Sequence, residues 1–112
     1  MLPKQRRIQR KFFSEILSKG ARFNTEHFLV YILQTEKENP SRFSFSISKK
    51  VAQKAVTRNL YRRRGYAIIS KYLEDITTGY NLFFVYKKGS LPVSFVDLES
   101  EIILLLKKSH LI

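Results

Sequence analysis

Ser48-Lys49-Lys50-Val51-Ala52-Gln53-Lys54-Ala55-Val56-Thr57-Arg58-Asn59-Leu60-Tyr61-Arg62-Arg63-Arg64-Gly65-Tyr66 holds seven cations and no acid. The acid-free region is wider still, since no Asp or Glu lies between Glu38 and Glu74. Such a run repels itself unless an anion is present, and the anion that matches it is a polyphosphate backbone. From about residue 55 to 73 the stretch has one Gly and no Pro, and it reads as a helix. At about 100° per residue, Val56, Leu60, Tyr61, Ala67, Ile68 and Tyr72 share an apolar arc. Arg58, Asn59, Arg62, Arg63 and Tyr66 share the opposite one. The helix is therefore expected to display a basic stripe with Asn59 and Tyr66 inside it. Arg64 falls in the apolar arc, where its stem can lie along the core and its head reach water. Ile69 and Leu73 fall on the basic side, so the last turns are expected to be covered on both faces.

The rest of the composition agrees with a folded, anion-binding protein. A length of 112 residues fits one domain with a modest core, burying about 60–70% of its unfolded surface. Net charge is 21 − 9 = +12, yet nine Phe and six Tyr argue against a disordered basic tail. The absence of Cys removes disulfides, Cys-ligated zinc and thiol catalysis together. Ile102-Ile103-Leu104-Leu105-Leu106 is the longest aliphatic run, far short of a membrane span. Residues 1–8 carry charge with no apolar core after them, unlike a signal peptide. A nucleic-acid-binding protein of the cytoplasm is the expected class. An acidic membrane surface is the competing polyanion.

Residues 1–11 form a basic arm with Lys4, Arg6, Arg7, Arg10 and Lys11, whose plain reading is a frayed terminus. Phe13, Ile16 and Leu17 share one helical face, and Gly20 stops that helix as a residue just past its end. A very short strand is expected near 21–24. Residues 27–33 are apolar on both faces, as a covered central strand would be. Residues 36–40 read as a polar hairpin connection. Over 42–48, Phe43, Phe45 and Ile47 alternate with Arg42, Ser44, Ser46 and Ser48, giving one core face and one small polar face. Residues 80–86 are again apolar on both faces. Ser94-x-x-Asp97 is a capping box opening a helix with Phe95, Leu98, Ile102 and Leu105 on one face. The order is helix, three strands, helix, strand, helix: an α+β chain.

Groups for protein-borne hydrolysis are missing from this pattern. A metal-dependent nuclease needs clustered carboxylates, and the acids are scattered. Asp97 and Glu101, four apart on a helix, read as a surface pair. His27 falls in a strand, where it reads as structural, and His110 lies in the tail. Only four Gly are present and none forms a phosphate loop.

Ser48-Lys49-Lys50-Val51 followed by Lys54-Ala55-Val56-x-Arg58-Asn59-x-x-Arg62-Arg63 resembles the signature of the bacterial ribonuclease P protein subunit. That subunit is the small basic partner of a catalytic RNA that removes the 5′ leader from precursor tRNA. The family pattern carries a further Arg two or three residues after Arg63, where this chain has Gly65 and Tyr66. The resemblance covers nearly the whole chain. It implies one domain over residues 1–112, an α-β sandwich in the order α-β-β-β-α-β-α. It also implies a ribosomal-protein-like, left-handed β-α-β crossover, against the general right-handed rule. It further implies that Lys49, Lys50, Lys54, Arg58, Asn59, Arg62, Arg63 and Tyr66 bind the catalytic RNA. Phe13, Leu17, Tyr31 and Ser46 would form a cleft for the single-stranded leader, and Lys4, Arg6, Arg7 and Arg10 of the arm would lie on RNA. No catalytic residue or metal ligand is implied in the protein. Mg²⁺ held mainly by the RNA would activate water, aided by the protein's relief of phosphate repulsion. For Phe13 and Leu17 a plain core role is the alternative. A structural RNA-binding protein of ribosomal type would share the charge and fold but not this register. A stand-alone nuclease lacks the residues. Nothing in the sequence sets an oligomeric state.

Overall fold

The computed structural model describes residues 2–112, so Met1, the first residue of the expected arm, lies outside the described residues. The elements are α1 (Phe13–Lys19), β1 (Ala21–Asn24), β2 (Phe28–Gln34), β3 (Arg42–Ser46), α2 (Ala55–Tyr72), β4 (Tyr80–Tyr86) and α3 (Phe95–Lys108). Two 3-10 turns, Lys4–Arg6 and Arg10–Phe12, precede α1. This is the expected α+β order, built on one four-stranded sheet in the order β1-β2-β4-β3. The two strands that are apolar on both faces, β2 and β4, are the two central ones, since only a central strand is covered on both faces and both edges.

The strand order corrects the hairpin reading of residues 36–40. β2 and β3 are not neighbours, because β4 lies between them, antiparallel to β2 and parallel to β3. The 36–40 loop packs instead on the turn before β4. Thr35 N–H donates to Gly79 O at 2.7 Å and Gly79 N–H to Asn39 O at 3.0 Å. Gly79 has φ +89°, and a Cβ there would sit 3.0 Å from Lys37 Cα. At the end of α1, Gly20 caps the helix in an extended conformation, φ −67°, rather than the left-handed one a terminal glycine usually supplies.

One face of the sheet is aromatic and lies under α2 and α3. Phe45 stacks on Phe84 with centroids 4.5 Å apart, and Phe28 meets Phe84 and Tyr86 at 5.5 and 4.6 Å. The buried arc of α2 is Tyr61, Gly65, Tyr66, Ile68 and Ile69. This is rotated from the expected arc, because Val56 is 77% exposed and Leu60 and Ala67 also face solvent. The reason is Gly65, which carries no hydrophobic signal. A Cβ on it would lie 2.5 Å from Phe45 Cδ2, so the helix rests its bare backbone on that ring. Ile69 therefore belongs to the core, as its place beyond the stripe implied. Arg64 lies along the border with its guanidinium 5.1 Å from the Tyr61 ring centroid. Tyr86 Oη donates to Tyr61 O at 2.8 Å, and burial pushes this phenol above its ordinary pKa.

α3 begins as expected, with Ser94 Oγ accepting from Asp97 N–H at 3.0 Å. Its Leu98, Ile102 and Leu106 are fully buried. The expected surface pair of Asp97 and Glu101 is not formed. Glu101 turns to the β1–β2 connection, where it accepts from Thr25 Oγ1, from His27 N–H at 2.9 Å, and meets His27 Nδ1 at 2.6 Å. His27 is thus structural, as read, but just outside its strand. Lys71 on α2 pairs with Glu99 on α3, and this contact holds the Glu99 carboxyl below its usual range.

Replacing Gly65 by Ala tests the close approach. Ala favours a helix by about 1 kcal/mol over Gly, but overpacking a rigid core costs about 1–3 kcal/mol. Phe45 is fixed by Phe84 behind it, so the clash is expected to win. Gly65→Ala should lower the melting temperature. In the Gly65→Ala/Phe45→Leu double variant the losses should be less than additive by thermal melting.

Candidate nucleic-acid interface

The outer edge of β3 is where the functional elements meet. Ile8 N–H donates to Phe43 O at 3.1 Å, Arg7 bridges Phe43 in parallel, and Arg42 Nε donates to Gln5 O at 3.1 Å. The arm is therefore docked, not frayed, with Leu2 and Ile8 buried. Its Lys4 and Arg10 are exposed, and Arg6 and Arg7 are half-buried. Two residues along the same edge, Phe45 N–H donates to Tyr66 Oη at 3.3 Å. Arm and α2 thus share one edge, which they also protect from pairing with another chain.

Tyr66 corrects the stripe. It is 8% exposed, its hydroxyl is taken by the strand and its ring packs edge-on against Phe45 at 5.2 Å. It is not displayed for stacking on a base. It forms instead the floor of a groove of about 360 Å³ that Val56, Asn59, Arg62 and Arg63 also line. Arg62 donates to Asn59 Oδ1 within this groove. Arg63 and Asn59 are exposed on its rim, as are Lys49, Lys50 and Lys54 on the approach to α2. Arg58 has a second duty: its Nη1 donates to Ala52 O at 2.9 Å and Gln53 O at 2.8 Å, tying the Lys49–Lys54 approach to the helix. Among the described residues, none of these cations pairs with a carboxylate. Their charge is left for an outside anion.

The second face of the sheet carries α1, anchored by the fully buried Ile16. Phe13 meets Phe83 edge-on at 4.9 Å, and Phe83 in turn lies 6.1 Å from Tyr31 at an interplanar angle of 27°. Phe13, Tyr31 and Phe83 are all half-buried. Ser44 and Ser46 on β3 complete this floor with small polar side chains, beside Phe83 and Val85 respectively. Leu17, one turn after Phe13, is 46% exposed. Phe83 is the residue sequence reasoning missed. Its strand was apolar on both faces, so alternation did not say which rings faced the core. The register with Tyr31 decides it.

The residues present do not fit a metal ion held by the protein. Among the described residues, no three His, Cys, Asp or Glu side chains are grouped to hold one. No described helix is long and apolar enough to cross a membrane.

A family model described as Ribonuclease P matches residues 2–110. The ribonuclease P protein component of Microcystis aeruginosa is 31% identical, with 99% of this chain and 96% of that protein aligned. That of Clostridioides difficile is 33% identical over 88% and 86%. A solved Staphylococcus aureus RNase P protein, a mutant with defective mRNA degradation activity, superposes with TM-score 0.86 at 21% identity, covering 97% of this chain and 92% of its own. The Thermotoga maritima RNase P protein gives 0.80 at 23%, covering 91% and 96%. These structural matches concern the fold; the sequence matches across the chain decide the family and set the ribosomal-type alternative aside. With a row of its cations beside one sheet edge, the chain belongs to the ribonuclease P family, as the protein subunit of a holoenzyme whose catalysis is carried out by RNA.

Proposed function

We propose that the protein holds its RNA and its substrate on the two sides of the β3 edge, and so assists removal of the 5′ leader from precursor tRNA. Lys49, Lys50, Lys54, Arg62 and Arg63 neutralise phosphates of the catalytic RNA, with the arm extending that surface. The floor of Phe13, Tyr31, Phe83, Ser44 and Ser46 takes the single-stranded leader, whose bases stack without regard to sequence. The observation that carries this is the shared edge: a row of cations and an aromatic floor lie on either side of one strand. Mg²⁺ on this reading is a ligand of the RNA. A tRNA precursor as substrate places the protein in the cytoplasm.

Reconstitution tests the reading. Purified protein alone should leave precursor tRNA intact, and with its catalytic RNA it should support leader removal at low Mg²⁺. Cleavage by RNA-free protein that survives further purification would overturn it.

Arg63→Ala should weaken binding to the catalytic RNA and reduce the slope of log K against log salt by about one unit. An unchanged slope in a normally folded variant would mean that Arg63 meets no phosphate.

Tyr31→Ala should reduce holoenzyme affinity by about 1–3 kcal/mol for precursors with long leaders, and little for those too short to reach the floor. Equal losses at every length, or a large fall in melting temperature, would return Tyr31 to a plain core role.

A further inference from the structure

Antiparallel pairing sets Arg22 opposite Tyr31 and Tyr31 opposite Phe83; parallel pairing sets Ser44 beside Phe83. The four side chains stand in one row across the sheet, on the face that carries α1. Arg22 is exposed on the outer strand, with its guanidinium carbon 6.0 Å from the Tyr31 ring centroid. Among the described residues it has no carboxylate partner. A cation at the end of an aromatic row offers what a single strand needs there, since a guanidinium binds phosphate by charge-assisted hydrogen bonds.

We propose that the leader runs across the strands, enters at β3, and leaves the sheet at β1 with one of its phosphates held by Arg22. This rests on reading the floor as the leader's site. Entry at β3 follows from the cations that face the catalytic RNA, which lie along that edge. Strands are about 4.8 Å apart, so Phe83 to Arg22 spans about 10 Å. That is room for about three stacked nucleotides at roughly 3.4 Å each. Arg22 therefore acts about one to two nucleotides beyond the one on Tyr31.

The test measures holoenzyme affinity for precursors of graded leader length, at several salt concentrations, with Arg22→Ala, Arg22→Lys and Tyr31→Ala. For Arg22→Ala the loss should begin at leaders about one to two nucleotides longer than for Tyr31→Ala. With long leaders the salt slope should fall by about 0.7, the value for one single-strand phosphate contact, and Arg22→Lys should keep it. A loss that begins at the same length as for Tyr31→Ala, with the slope unchanged, would reduce Arg22 to a prop for the Tyr31 ring and overturn the proposal. If Tyr31→Ala depends on length and Arg22→Ala does not, the floor stands and the exit at β1 is wrong. If neither depends on length, the reading of the floor fails and this path fails with it.

Discussion

The bare backbone of Gly65 on the Phe45 ring fixes the distance between α2 and the sheet, and the functional surface follows from that distance. Phe45 cannot retreat, because Phe84 stacks behind it at 4.5 Å. At this separation Tyr66 reaches the outer N–H of β3 and Tyr86 reaches a carbonyl of α2. A side chain on residue 65 would lift the helix and break both hydrogen bonds, each worth about 1 kcal/mol. It would also carry Arg62 and Arg63 away from the strand edge where the arm is docked. The position where the family pattern can hold an Arg is here the point of closest packing.

Charge is separated in the same framework. On the β3 side Lys49, Lys50, Lys54, Arg58, Arg62 and Arg63 have no acidic partner among the described residues, and the cost of their mutual repulsion is kept small by exposure to water. Of the carboxylates on α3, Glu99 is taken up by Lys71, and Glu101 by His27 and Thr25. A protein with net charge +12 thus has a directional field, which draws a polyanion to one side and orients it during approach.

Much of this was legible in the residues. The double-sided apolar runs placed β2 and β4 at the centre, the alternation of Phe43, Phe45 and Ile47 gave the core face of β3, and Ser94 marked the start of α3 within one residue. What was not legible depended on contacts distant in sequence. An arc drawn from hydrophobicity alone put Val56 and Leu60 inside, because a glycine scores as neutral while it determines which way the helix turns. Tyr66 sat among the cations on the helical wheel, yet its hydroxyl found a strand N–H that no local pattern announces. Adjacent strands in sequence suggested a hairpin at 36–40, where β4 had still to be inserted. The arm looked frayed because its partner, Phe43, lies 35 residues beyond Ile8.

That docking has a consequence for the order of events during synthesis. The groove that receives the arm is the outer edge of β3, and the strand beside β3 in the sheet is β4, which follows the whole of α2. Residues 2–8 leave the ribosome well before Tyr80–Tyr86, and they have no edge to join until that later strand is in place. Closing so long a loop is the slow part of such a fold, because its entropy is lost before any contact repays it. On this topology the cationic arm finds its complete docking edge only after β4 has joined β3, although it precedes both in the chain.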